Sequence, residues 1–236
     1  MVVTIHQPEH LPWLGFCHKA SQADLFVLLD NVQYRKNYFQ NRNRILGVNG
    51  PMWVTVPVLS RGHTESTILD MRIDNTGPWL KKWWKSLYFT YKNAPFFEPD
   101  AAFFENLSRR TWTSLVEFNV TILSHVLEAF EIRCPVVRAS TLPVSGTRSD
   151  LLLDICRHVG ATTYLAGQSG RDYLREDLFT AAGLAVRYHA FTHPVYPQGR
   201  NGAFVPFLSS VDLLWTCGPE SARILRTEPW VAPQRP

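Results

Sequence analysis

Two segments of this chain spell strand, loop, helix, strand, and that pattern restricts the fold more than any other feature. The first opens on the apolar, β-branched run VVTIHQ and passes through PEHLPW, whose Pro8 and Pro12 forbid helix. It continues in the helix-compatible LGFCHKASQA and ends in DLFVLLD, an apolar run bounded by acids that reads as a buried strand. The second segment holds a helix over residues 151 to 159 stopped by Gly160, a strand TTYLAG, a helix REDLFTAAG ended by Gly183, and a strand LAVRYHAF. Such units form right-handed parallel crossovers, and open sheets built from them bind ligands at the carboxyl ends of their strands. The expected fold is therefore α/β, with a central, mainly parallel, Rossmann-like sheet. His6, Gln7 and His10 then stand at the mouth of a site, on a loop that the prolines stiffen.

Between the two segments the character changes. From residue 77 to 132 the chain reads as a helical insertion, with Leu115, Phe118, Ile122, Val126 and Phe130 recurring at helical spacing. The α/β core accordingly spans 1–76 and 133–218, with CPVVRAS as a further short strand and 219–236 as an extended tail. Trp79, Trp83, Trp84 and Tyr91 read as core packing, because aromatic residues at helical spacing fill cores, with a sugar-stacking platform as the other reading.

Composition narrows the classes. At 236 residues and 45% hydrophobic, the chain can bury a full core, and no apolar run reaches the length of a membrane span. Its start carries no basic and apolar leader pattern, so the expected compartment is the cytoplasm. Cys17, Cys134, Cys156 and Cys217 are far apart and form neither disulfide frameworks nor zinc spacings, and they read as buried thiols. Net charge of +4 suits an anionic small substrate such as a nucleotide sugar and falls short of a dedicated nucleic-acid binder. His6 and His10 are four apart, but the prolines prevent the helical pair used by H-x-x-x-H zinc sites, so no metal is expected.

Three further polar loops carry candidate chemistry. The block NVQYRKNYFQNRNRILGVNGP precedes a strand MWVTVPV and reads as a solvated or ligand-binding loop, in which Gln33, Lys36, Gln40 and Arg42 can cradle a phosphate. The loop AGQSGRDY contributes Gly167, Ser169, Gly170, Arg171 and Tyr173, with a turn able to offer N–H groups to an anion. The third, HPVYPQGRNGAF, brings His193, Tyr196 and Gln198, and is followed by a helix SSVDLLWTCG that holds Asp212 and that Ser209 or Ser210 can cap. Neither a Walker loop, a G-x-G-x-x-G nor a G-x-S-x-G element is present.

The order IHQPxxLPWLGFxHK, DLFVLLDNVQYxKNxFQNRNRI, WVTVPV, YLAGxSGRDYL, FxHPVYPQ and FLSSVDLLWTCG resembles the WbqC-like family of bacterial proteins, over roughly residues 3 to 218. The resemblance implies a place in the making of O-antigen, other surface polysaccharides or sugar-containing metabolites. It implies a group transferase that attaches an acyl or aminoacyl group to the amine of an amino sugar, free or nucleotide-linked. His6 is the expected base, with His18, Asp30 and His193 beside it as candidate catalytic groups. Gln7, Asn41, Asn43 or the backbone from Gly167 to Gly170 supply oxyanion donors, Arg42 anchors a phosphate or carboxylate, and Trp13 borders the site. An activated acyl or aminoacyl donor is expected ahead of ATP, and a donor carrier is a candidate partner. Two competing readings are an adenylating or nucleotidyl-transferring enzyme, against which WLGF stands where that class carries HxGH, and a non-catalytic sugar-binding assembly factor relying on Trp79 or Trp83.

Overall fold

The prolines and the apolar runs organise the chain as they should. In a computed structural model, which describes residues 1–59, 65–199 and 202–226, strand β1 (Val2–His6) leads through the Pro8–Pro12 loop to helix α1 (Leu14–Ser21) and strand β2 (Leu25–Leu28). A hairpin follows, β3 (Arg42–Gly47) and β4 (Gly50–Thr55), then three helices, α2 (Trp79–Tyr91), α3 (Phe97–Ser108) and α4 (Leu115–Ala129). The chain returns through β5 (Val136–Arg138), α5 (Arg148–His158), β6 (Thr163–Ala166), α6 (Glu176–Ala181) and β7 (Ala185–Tyr188), and closes with α7 (Val211–Cys217) and α8 (Ser221–Arg226).

The main sheet has the order β5-β2-β1-β6-β7, and every pairing in it is parallel. Alternate residues split between its faces, as the pleat requires. Phe26 and Leu28 pack with α1, the hairpin, α2–α4, α7 and α8, whereas Val3, Ile5 and Val27 pack with α5 and α6. The molecule is thus a three-layer α/β fold in which the inserted helices share one core with the sheet. From β1 the chain moves outward to β2 on one side and later returns to β6 on the other. The crevice between β1 and β6, at their carboxyl ends, is the topological switch point where such sheets hold ligands.

Two elements depart from expectation. The polar block is not a loop throughout: RNRILG forms β3, antiparallel to β4, with Arg44 opposite Trp53. Strand β4 begins at Gly50 and ends at Thr55, short of the expected PV, and Gly50, just after the turn, takes a positive φ of +107° that its missing Cβ permits. The tail is not extended over its first part. Residues 218–220 form a 3₁₀ turn and α8 follows, because Ile224 and Leu225 bury themselves and Arg226 donates to Phe130 O and Glu131 O. The remainder, TEPWVAPQRP, lies outside the described residues. Among the described residues no helix is long and apolar enough to cross a membrane.

Candidate functional site

The switch point collects an unusual set of groups. His6 ends β1 with 32% of its side chain accessible, and its Nδ1 lies 3.0 Å from Gln7 O. A carbonyl only accepts, so Nδ1 carries the ring proton and Nε2 is left bare. Glu9, buried between Pro8 and His10, holds Oε1 3.8 Å from that Nδ1, and among the described residues its Oε2 has no hydrogen-bond partner. Lys19, on α1, is also buried and donates to Ile5 O at 3.3 Å. Gly167, just past β6, lies against the amine: the first carbon of any side chain there would stand 4.0 Å from Nζ, in ordinary contact.

The electrostatics follow from burial. Desolvation pushes the Glu9 carboxyl up to about 8 against the pull of the Lys19 cation and a hydrogen bond from the Trp13 backbone. It pushes Lys19 down to about 7 against the pull of Glu9. Burial, helped by Lys19, also holds His6 well below the usual imidazole range. A second pair adjoins this group: His18 Nδ1 lies 2.7 Å from His189 Nε2, and burial lowers both rings. The Gln168 amide donates to His189 O at 2.6 Å and so ties the loop after β6 to β7.

Around the crevice, Gln7 accepts from Gln40 Nε2 at 2.7 Å through its carbonyl, and Gln40 accepts in turn from Arg35 N. The Gln7 amide N–H₂ makes no hydrogen bond among the described residues. Gln33, Lys36, Ser169, Arg171 and Tyr173 are exposed on the two loops that flank the opening. Burial raises the Tyr173 hydroxyl above its ordinary range, and Tyr38 raises it further. Trp13 packs edge-on against Phe191 and folds over Gly15, whose hydrogen in place of a Cβ makes room for the indole.

Other sequence candidates are engaged in holding the fold. Asp30 is fully buried, and its oxygens accept from Arg138 Nε, Ser140 N and Ser140 Oγ at 2.7 to 2.9 Å, a clamp between β2 and the turn after β5. His10 is a core residue: Trp83 Nε1 must donate to its Nε2, so its Nδ1–H donates to Asn119 Oδ1. His193 spends both nitrogens, donating to Pro194 O and accepting from Phe207 N. Asp212 accepts from Tyr91, Tyr196 and Gln198, which fastens the 193–198 loop to α7 and α2. Asn41 and Asn43 donate to Val56 O and Leu11 O, the latter holding Leu11 at a φ of +45°. Arg42 donates to Asn37 O and lies 4.3 Å from the Trp53 ring centroid.

The turn at Gly167–Gly170 is a 3₁₀ helix, and the Gly170 N–H donates to Gly167 O at 2.9 Å, so it is spent inside the turn. Gly170 sits where a Cβ would press on Ala166 and Tyr188 at 3.4 Å, a packing reason for the glycine. Trp79, Trp83 and Tyr91 are buried and Trp84 stacks on Phe97, so these aromatics form core. A cleft of about 330 Å³ lies elsewhere, between the hairpin tip and residues 196–198 and 202–205, and among the described residues lining it Tyr196, already bound to Asp212, is the ionisable one. No cluster of three metal-ligating side chains occurs among the described residues.

Sequence reasoning passed over Glu9, Lys19 and His189. An acid between prolines and a lysine on a short helix look solvent-facing, yet α1 is buried at six of its eight positions, which leaves its lysine no route to water.

Comparison with known proteins gives one curated relative, the uncharacterized protein Rv1507c of Mycobacterium tuberculosis (strain H37Rv), 30% identical over 227 residues that cover 95% of this chain and 97% of that one. No solved structure gives a significant match. Residues 7–224, which include the switch-point groups from Gln7 onward, match the WbqC-like protein family, and the chain belongs to that family.

Proposed function

We propose that the protein is a cytoplasmic group transferase that moves an acyl or aminoacyl group onto the amine of an amino sugar, free or nucleotide-linked, in the making of polysaccharides or glycosylated metabolites. The observation that carries this reading is the buried Glu9–Lys19 pair beside the bare Nε2 of His6 at the switch point. An amine that attacks a carbonyl must shed a proton, and a proton acceptor works best when its pKa lies near the working pH. Glu9 and Lys19 both lie there, whereas the depressed imidazole of His6 is a poor final store. The role of base, expected of His6, passes to Glu9, with His6 as relay.

In this scheme the sugar amine attacks the carbonyl carbon of a thioester or ester donor. Its proton reaches His6 Nε2, the Nδ1 proton passes from its bond with Gln7 O to ionised Glu9 as the 3.8 Å gap to Oε1 closes on substrate binding, and the departing thiol or hydroxyl is finally protonated from the same store. The unspent Gln7 amide suits the oxyanion formed on the carbonyl. A purely sugar-binding role lacks such support, because Trp79 and Trp83 offer no stacking surface.

The test is product formation, read by mass spectrometry, with nucleotide-linked and free amino sugars against acyl-CoA and aminoacyl donors. An amide should form, and Glu9→Gln should lower kcat by about 10²-fold or more without loss of fold. Pyrophosphate release from ATP in place of amide formation, or no product with any pair, overturns the reading.

A further inference from the structure

All of the chain's net charge sits in one segment. Residues 31–59 hold Arg35, Lys36, Arg42 and Arg44 and no acid, and the rest of the chain carries equal numbers of cationic and anionic side chains. The fold gathers these cations onto the hairpin and its preceding loop. On β3 and β4 the pleat sends Asn43, Ile45 and Val54 into the core, which leaves Arg42, Arg44 and Trp53 together on the outer face. Trp53 keeps 45% of its surface accessible, with the Arg42 and Arg44 guanidinium carbons 4.3 and 5.8 Å from its ring centroid and Phe39 6.1 Å away. Arg35 lies 4.9 Å over the exposed Tyr38 ring.

Among the described residues none of the four cations forms a salt bridge, and the Nε atoms of Arg42 and Arg44 have no hydrogen-bond partner. The half-exposed indole with two guanidiniums held against it makes a flat, cationic surface. Such a surface complements a ligand with both a planar ring and adjacent negative charge. The patch also joins the crevice directly: Gln40 bonds both Arg35 N and Gln7, and His10 N donates to Phe39 O.

We infer that the outer face of the β3–β4 hairpin is a binding site for the nucleoside diphosphate part of a substrate, with the base stacked at Trp53 and the phosphates held by Arg42, Arg44, Arg35 and Lys36. This deepens the proposed function, since it rests on a nucleotide-linked amino sugar whose amine reaches the His6–Glu9 crevice while its nucleotide lies on the hairpin.

The experiment is calorimetric titration of the full chain with UDP, ADP, inorganic pyrophosphate and a short single-stranded RNA, with no acyl donor present. A nucleoside diphosphate should bind at least tenfold more tightly than pyrophosphate. Trp53→Ala should erase that difference, Trp53→Phe should restore most of it, and Arg44→Gln should weaken both ligands about tenfold. Both side chains lie on the outer face of the hairpin, Trp53 exposed and Arg44 half-buried, so the chain should keep its fold, which circular dichroism checks. Equal affinity for pyrophosphate and UDP, tighter binding of RNA than of any mononucleotide, or no binding at all overturns the assignment. Because turnover plays no part, the two ideas fail separately. Nucleotide binding without transfer to any acceptor removes the transferase alone, and transfer to a free amino sugar without nucleotide binding removes the hairpin site alone.

Discussion

Glu9 and Lys19 are costly residues to keep where they are. No salt bridge joins them among the described residues, so in each the loss by desolvation outweighs their mutual attraction, and Glu9 Oε2 has no hydrogen-bond partner there. Replacing such a pair by neutral side chains of similar volume is commonly neutral or stabilising by about 1–4 kcal/mol. Glu9→Gln with Lys19→Met should therefore leave the protein as stable or more so, while abolishing the proposed transfer. The pH dependence carries a specific sign. Glu9 is raised from 4.5 to about 8, so the native state keeps a proton that the unfolded state releases, and this group's contribution declines as pH rises from 4.5 to 8. Lys19 is lowered from 10.5 to about 7, so its contribution falls as pH drops from 10.5 to 7. The stability difference between variant and wild type should thus peak near neutral pH, read from urea midpoints across pH 5–10. A difference that stays flat over that range would mean that the pair does not titrate as burial dictates.

At the level of elements, the short strands hold together through side chains that reach between them. Asn43 is fully buried in β3, donates to Leu11 O at 2.7 Å and accepts from Arg44 N. Asn43→Ala leaves Leu11 O without that partner, and an unsatisfied buried group costs about 1–3 kcal/mol. The loss should appear locally as faster hydrogen exchange in the Pro8–Pro12 loop, with β6 and β7 unaffected; uniform acceleration would show that the bond holds no particular element. The same residue explains what could be read in advance and what could not. Strands β1 and β2 and helix α1 were legible because apolar runs and prolines carry their own local signal. Strand β3 was not, because its inward position 43 is an asparagine whose partner lies 32 residues away, and its outward positions are arginines. Helix α8 was hidden for a related reason: SARILR is too short to show a period, and what fixes it is the burial of Leu225. Leu225→Ala should cost about 2–5 kcal/mol, as for other buried leucines, whereas a surface-like loss under 1 kcal/mol would mean that α8 contributes little. In the candidate site, His6 and Gln7 were legible from the strand-to-loop transition. Glu9 and Lys19 became visible only once the sheet, α1 and β6 were assembled around them.

For the molecule as a whole, histidine is the residue that ties the fold to pH. Five of the eight, His6, His10, His18, His189 and His193, are held below their ordinary range, and burial is the first cause in each case. In the unfolded chain these rings protonate as pH falls through 6.5, while the native state refuses the proton, down to about 4 for His10 and His189. The unfolded state then binds more protons, so stability falls as pH drops from 6.5 toward 4. Each ring fully within its window contributes roughly 1.4 kcal/mol per pH unit, less for the partly accessible His6, His18 and His193, and Glu9 opposes them with a single group of the other sign. The sum is a loss of several kcal/mol that begins above the range where ordinary carboxylates titrate. Urea midpoints should decline steadily from pH 6.5 to 4.5. The Trp83–His10–Asn119 chain offers an internal control, because it needs His10 neutral: His10→Gln should lose stability at pH 7 and show a shallower acid slope than the native chain. A midpoint that holds constant down to pH 4.5 would mean that the buried rings accept protons without cost, and that the neutral hydrogen-bond chain inside the core is not what keeps them in place.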